Sequence, residues 1–173
     1  MSLDAAEVTR LLAAAEAETV ADARGKAFEA VAEYVFRSLG CPVRRNLVTA
    51  LGSQQIDLAV AHLGALGPVP TFFLVECKYW EKPVDSAAVG YFLNTCRDRR
   101  AALGVVISKH GLTGDKDDAT HAHSIALGAS FDGVRLIVLT EDDLRKAASD
   151  EHLIATLISA WLEAAATGKV GTP

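Results

Sequence analysis

The sequence predicts an α/β protein in which helices flank a mixed central sheet. Two patterns carry this prediction. Strand-like and helix-like segments alternate in the second half of the chain, which indicates parallel strands, and two β-rich runs before them are close enough for an antiparallel hairpin. With 173 residues, the chain has the length of a single domain, 1–173, and is too short for two domains of ordinary size.

The chain opens with two predicted helices. Apolar residues recur at helical spacing from Leu3 to about Ala21, and again over about 24–39. Gly25 interrupts the pattern between them, so the second helix is expected to begin around it. Gly40 and Pro42 then supply a stop signal.

A hairpin and a buried strand follow the two helices. Residues 43–49 and 54–61 are β-rich, and Leu51-Gly52-Ser53 between them has the length and the glycine of a hairpin connection. Thr71 to Lys78 is almost continuously apolar, which is typical of a strand covered on both faces. We therefore expect this strand near the centre of the sheet.

The remaining elements alternate between helix and strand. They are a helix at 85–99, a strand at 103–109, a helix ending near Gly128, a strand at 134–139, and helices at about 141–148 and 150–166. The tail from Thr167 to Pro173 is expected to fray.

Composition excludes several classes of protein. No apolar run approaches the ~20 residues of a membrane span, and the N-terminus lacks the basic-then-apolar order of a signal peptide. The three cysteines, Cys41, Cys77 and Cys96, contain no Cys-x-x-Cys pair, which argues against a disulfide framework or a zinc knuckle. A cytoplasmic location and no membrane partner are the expectation.

The net charge of −5 does not exclude a nucleic-acid partner. Residues 1–23 hold five acidic residues and one basic residue, and residues 139–173 hold six acidic and three basic residues. The middle segment, 24–138, therefore carries a net charge of +2. Acidic residues that bind a divalent ion would raise the effective charge of that segment further.

Three ionisable residues stand at positions where apolar residues are expected. Glu76 and Lys78 are two residues apart on the apolar strand and therefore project from the same face. Asp57 lies among apolar neighbours on the second hairpin strand. Burying such groups unpaired costs several kcal/mol each. A site for a divalent ion between neighbouring strands is the functional interpretation, and a structural ion pair at a strand end is the alternative.

Ile56-Asp57, an interval of 18 residues, and Glu76-Cys77-Lys78 resemble the PD-(D/E)-x-K signature of the restriction-endonuclease-like nucleases, with Ile56 in place of the proline. Three further segments resemble the Mrr-type branch, whose members act in restriction and repair: Gly25-x-x-Phe28-Glu29, Tyr79-Trp80, and Gly104 to Ser108. The resemblance spans about residues 24–144 and leaves helical extensions at 1–23 and 145–173. It implies a three-layer α/β/α fold.

The resemblance also implies a function, that of a Mg²⁺-dependent endodeoxyribonuclease in which Mn²⁺ can substitute. Asp57 and Glu76 would hold the metal together with the backbone carbonyl of Cys77, whose side chain should pack in the core. Lys78 would orient or deprotonate the attacking water and stabilise charge on phosphorus. Glu29 would hold a metal-bound water or a second ion. Glu33, one turn later, is an equal candidate on spacing alone, and only the resemblance favours Glu29.

Several alternatives stay open from sequence. The same fold is compatible with a catalytically inactive nucleic-acid-binding or assembly module, or with a nuclease acting on RNA or branched DNA. Tyr79 and Trp80 either stack on bases or pack at the strand end. DNA is the expected partner, and specificity would come from a homodimer or from another protein, because no reader domain is recognisable in the chain.

Overall fold

The computed structural model describes residues 2–49, 52 and 54–173, and its centre is a five-stranded mixed sheet in the order β1-β2-β3-β4-β5. The strands are β1 (Val43–Val48), β2 (Gln55–Ala61), β3 (Phe72–Lys78), β4 (Leu103–Ser108) and β5 (Arg135–Thr140). The hairpin β1–β2 is antiparallel and the last three strands are parallel, as predicted, and β2 pairs antiparallel with β3. Leu51 and Ser53 of the predicted hairpin connection lie outside the described residues.

Six helices of the described residues cover the two faces of this sheet. They are α1 (Ala5–Ala17), α2 (Ala21–Ser38), α3 (Ser86–Asp98), α4 (Ala122–Phe131), α5 (Glu141–Lys146) and α6 (Asp150–Thr167). Buried residues of α1, α2, α5 and α6 share one core, which includes Phe36 and Phe73. Those of α3 and α4 share a second core, which includes Phe92 and Leu74. The predicted three-layer arrangement is confirmed. None of the six is long and apolar enough to cross a membrane.

Two glycines that were expected to break helices lie inside them. The break between α1 and α2 falls at 18–20, where Glu18 and Val20 are extended, so α2 begins before Gly25. In the same way α4 continues through Gly128 to Phe131. The cost of a helical glycine is only about 1 kcal/mol. Burial of residues such as Phe28 on α2 outweighs it.

The C-terminal tail does not fray as expected, because it pairs with the outer edge of β5. The amide of Val138 donates to the carbonyl of Gly171 at 2.9 Å, and the amide of Gly171 donates to the carbonyl of Leu136 at 3.0 Å. Val170 is buried. The tail thus satisfies main-chain groups that an open sheet edge would leave unpaired.

Two glycine-to-alanine substitutions are expected to have opposite effects on stability. A Cβ on Gly25 would meet nothing within 4 Å, so Gly25→Ala should raise the free energy of unfolding by about 0.5–1 kcal/mol. A Cβ on Gly171 would lie 1.9 Å from the carbonyl oxygen of Ala160, so Gly171→Ala should lower it by about 1–3 kcal/mol. Urea unfolding of both variants measures the difference. An unchanged midpoint for Gly171→Ala would contradict the docking of the tail.

Candidate active site

Asp57, Glu76 and Lys78 line one cleft at the end of the β2–β3 pair. The cleft has a volume of about 420 Å³ and opens on the α3 side of the sheet. Its remaining lining residues are Gln55, Trp80, Ala88 and Tyr91. The structure therefore brings together the three residues that the sequence singled out.

The register of β2 and β3 explains this convergence. The antiparallel ladder ends at the pair Leu58 and Val75, and the next positions in the same register are Asp57 and Glu76. Opposed residues on antiparallel strands project from the same face of a sheet. At this point the Asp57 Oδ2 atom accepts a hydrogen bond from the main-chain amide of Cys77 at 2.9 Å. Asp57 is thus held against the end of β3 by a side-chain bond.

The β1–β2 ladder is also irregular beside Asp57. Arg45 pairs with Leu58 and Leu47 pairs with Ile56, but the pair between them, Asn46 with Asp57, is missing from the ladder. Asn46 has a φ of 52°, in the left-handed region that asparagine tolerates better than most residues. Sequence analysis did not single out Asn46. Its backbone conformation marks the point where β1 departs from regular pairing next to the cleft.

Glu76 is a strongly perturbed carboxyl group. Its side chain is 14% exposed, and its Oε1 atom lies 2.5 Å from the Lys78 Nζ atom. Burial, followed by the charge of Asp57, raises the pKa of Glu76 to about 7, although Lys78 opposes this shift. Burial also raises the pKa of Asp57, against the opposing effect of the Cys77 amide. The positive charge and hydrogen-bond donors in the cleft therefore do not fully compensate the burial of the two carboxylates.

Lys78 carries the main compensating charge in the cleft. Burial by itself would lower the pKa of Lys78, but the adjacent carboxylates of Glu76 and Asp57 outweigh burial and raise it. Its Nζ atom also lies 5.6 Å from the centre of the Trp80 ring, a cation–π contact. Lys78 is consequently an ammonium at neutral pH, so in this state it is a donor and a positive charge rather than a base.

The raised pKa of Glu76 predicts a pH-dependent loss of stability in the metal-free protein. Between its ordinary value of 4.5 and about 7, the folded chain retains a proton that the unfolded chain has lost, so stability falls as the pH rises through this interval. Glu76→Gln removes this titration. At pH 8 in a metal chelator, the variant should be more stable than the native sequence by on the order of 1–3 kcal/mol.

Thermal unfolding at pH 5 and pH 8 tests this expectation, with Glu18→Gln, on the exposed linker between α1 and α2, as the matched control. The advantage of Glu76→Gln should grow from the lower to the higher pH, whereas the control should show no such growth. An advantage that is the same at both pH values would contradict the raised pKa.

Glu29 lies beside the cleft without lining it. Glu29 is 8% exposed, and Arg45 holds its Oε2 atom at 3.2 Å. Burial raises the pKa of Glu29, Arg45 opposes this, and the charge of Asp57 adds to it. Glu33 instead pairs with Arg37 at 2.9 Å and with Arg45 at 3.1 Å. Of the two glutamates, Glu29 is the one that is electrostatically coupled to Asp57 and Glu76.

The side chains of Cys77 and Tyr79 point away from the cleft. Both belong to the core beneath α2, and the Tyr79 ring packs edge-on against Phe28 at 4.9 Å between centroids. Burial, with the nearby carboxylates, raises the pKa of the Cys77 thiol well above its ordinary value, so it is not a nucleophile. Packing is therefore the role of Tyr79 and of the Cys77 side chain, whereas Trp80 lines the cleft.

Sequence analysis missed three residues of the cleft wall: Ala88 and two residues with polar side chains, Gln55 and Tyr91. Tyr91 lies on α3, one turn after Ala88, and is 51% exposed. The inward stripe of α3 consists of Val89, Phe92, Leu93 and Cys96. An aromatic residue off that stripe is the sequence signal that could have indicated Tyr91. Gln55 at the start of β2 carries no comparable signal.

The donor set of the cleft fits a hard divalent cation. In the part of the chain that the structure describes, no three His, Cys, Asp or Glu side chains are placed to hold a metal ion by themselves. Mg²⁺ is commonly bound by one or two carboxylates together with water. Asp57 and Glu76 supply two such carboxylates, and the pKa of each is raised by burial, so a cation between them would relieve uncompensated charge.

The three-layer fold is consistent with a restriction-endonuclease-like domain, and the acidic cleft lies at the end of two of its strands. Residues 20–147 match the family model of the Mrr catalytic domain, which is described as a restriction endonuclease. The chain belongs to this family, and the resemblance given by its motifs is confirmed. No curated protein matches the chain.

Proposed function

We propose that the chain is a Mg²⁺-dependent endonuclease that hydrolyses DNA phosphodiester bonds at the cleft of Asp57, Glu76 and Lys78, in a restriction or repair role. One observation carries the proposal: two carboxyl groups with raised pKa values and one ammonium converge in a solvent-open cleft of a restriction-endonuclease domain. A purely structural ion pair needs only one carboxylate for its lysine. A cation-binding site accounts for the second carboxylate in the cleft.

Each residue has a role in this proposal. Asp57, Glu76 and the main-chain carbonyl of Cys77 would hold Mg²⁺, or Mn²⁺ in its place. Such an ion supplies charge neutralisation and lowers the pKa of bound water. The amide of Cys77 fixes Asp57 in position for this task. Lys78, as an ammonium, orients the attacking water and stabilises the charge that develops on the phosphoryl oxygens.

Glu29 has a separate role at the edge of the site. Arg45 holds its carboxylate in place, and its coupling to Asp57 supports a role in orienting a water molecule or a second ion next to the cleft. Arg45 holds Glu33 as well, so what favours Glu29 is its charge coupling to Asp57 and Glu76.

A cleavage panel tests the proposed activity. The substrates are supercoiled, linear, single-stranded and branched DNA, together with RNA, each with Mg²⁺, with Mn²⁺ and with a chelator. Cleavage of DNA only when a divalent ion is present is the expected result. Cleavage of RNA alone would replace DNA as the substrate, and cleavage of nothing, with DNA still bound, would favour an inactive binding module.

Cutting both strands of a duplex requires two active sites, so we expect either a homodimer or a partner protein that supplies specificity. Light scattering of the purified chain with and without duplex DNA tests the dimer. A single-chain mass under both conditions would leave the partner protein as the source of specificity.

A further inference from the structure

A second hollow shares the side chain of Trp80 with the cleft. It has a volume of about 550 Å³, and its aromatic and charged walls are Arg24, Tyr79, Trp80, Glu81, Lys82 and Asp85. Trp80 lines both cavities and packs with its buried portion against the core beneath α3. We call this second cavity the Trp80 hollow. The same side chain thus borders both the proposed catalytic cleft and an adjacent recess.

The chemistry of the Trp80 hollow suits a flat ligand, and its two basic and two acidic wall residues balance in formal charge. Two aromatic residues form part of its walls, and the side chains of Arg24 and Lys82 supply positive charge. Glu81 pairs with Arg24 at 3.4 Å and with Lys109 at 3.0 Å, but its side chain is 67% exposed. Ion pairs with an exposed partner contribute little energy to stability. A phosphate can therefore replace Glu81 as the partner of Arg24 at small cost.

The ring of Trp80 is in direct contact with the Lys78 ammonium of the cleft. The Lys78 ammonium lies 5.6 Å from the centre of the Trp80 ring, and in the proposed function it acts on the scissile phosphate. A phosphate beside Lys78 and a base against Trp80 are then neighbouring parts of one DNA strand. Because paired bases in a duplex cover each other's faces, only an unstacked base can lie flat against an aromatic side chain.

We infer that the Trp80 hollow binds the base of an unpaired nucleotide adjacent to the scissile phosphate, so that the substrate is DNA with single-stranded or mismatched positions. This inference rests on the proposed function, because it takes the scissile phosphate to lie in the cleft. Stacking on Trp80 supplies affinity without reading sequence, since every base has an aromatic face. Arg24 and Lys82 hold the flanking backbone.

Equilibrium binding of labelled oligonucleotides tests the inference. The probes are a short single strand, a fully paired duplex, and the same duplex with one central mismatch, all in Ca²⁺ so that binding is measured apart from turnover. Trp80→Leu should weaken binding of the single strand and of the mismatched duplex by about tenfold, while binding of the paired duplex changes less than about twofold. Phe131→Leu, at an 84% exposed aromatic residue at the end of α4, is the matched control and should change none of them.

A measurement on the native sequence keeps the test independent of whether the variant folds. A 2-aminopurine base in the single-stranded probe, where stacking on neighbouring bases is weaker than in a duplex, should lose fluorescence when the native protein binds, because it stacks on Trp80. Unquenched 2-aminopurine, or Trp80→Leu binding that equals native binding for all three probes, would overturn the inference. If the inference is overturned but the native chain still cuts DNA, the proposed function remains valid without it. Failure of the native chain to bind any probe would overturn both.

Discussion

Glu76→Gln and Asp57→Asn are each expected to lower the rate of metal-dependent DNA cleavage by at least about a thousandfold. Both substitutions keep the shape of the side chain and remove the negative charge that would bind the cation. Asp57→Asn also retains an oxygen that can accept the Cys77 amide, so the end of β3 stays in place. The loss would therefore report on charge rather than on packing. Initial cleavage rates of supercoiled plasmid in Mg²⁺ give the measurement.

Two controls separate this effect from unfolding and from metal contamination. Glu76→Gln should be at least as stable as the native sequence above pH 7, because it removes a buried carboxylate whose pKa is about 7. Calorimetric titration with Mn²⁺ should show a large loss of affinity in both variants. A variant that binds no Mn²⁺ yet cuts at the native rate would refute the assignment of the metal ligands.

Lys78→Met is expected to have two effects of opposite sign. Cleavage should fall by about a hundredfold or more, because the ammonium that orients water and stabilises developing charge is lost. Affinity for Mn²⁺ should rise by about tenfold, because the Lys78 Nζ atom lies 2.5 Å from the Glu76 Oε1 atom and its positive charge opposes a cation at the same oxygens. Methionine retains much of the apolar stem of lysine, so packing against Trp80 changes little.

The same titration and cleavage assay apply to this variant, with Lys169→Met as the control. Lys169 pairs with Asp117 at 3.3 Å, outside the cleft, and its replacement should leave both quantities unchanged. Weaker Mn²⁺ binding in Lys78→Met would mean that Lys78 helps to build the cation site instead of competing with the ion.

Much of the fold could be predicted because its signals are local. The apolar run from Thr71 to Lys78 predicted a buried strand, and β3 occupies the middle of the sheet. The alternation of later helices and strands predicted the parallel pairs of β3, β4 and β5. The two helix boundaries that were wrong, at Gly25 and Gly128, failed for one reason. The low helix propensity of glycine costs only about 1 kcal/mol, and packing of the other helix residues outweighs this cost.

The tail from Thr167 to Pro173 shows the limit of local reasoning. Its small and polar residues carry no strand pattern, and its pairing with β5 depends on the open edge that β5 presents. The close approach of Gly171 to α6 likewise depends on how α6 packs over the sheet. Neither property is encoded in the tail alone.

By itself, the sequence determined which residues to examine at the site. Glu76 and Lys78 stood out as charged residues at period-two positions in an apolar strand, and Asp57 stood out among the apolar residues of the second hairpin strand. The tertiary structure decided how these groups meet: the register that sets Asp57 opposite Glu76, the contact of Lys78 with Glu76, and the coupling of Glu29 to Asp57. Two of these relations, Asp57 with Glu76 and Glu29 with Asp57, join residues far apart in the chain. The energies of all three depend on distance and burial, which exist only after the layers have packed.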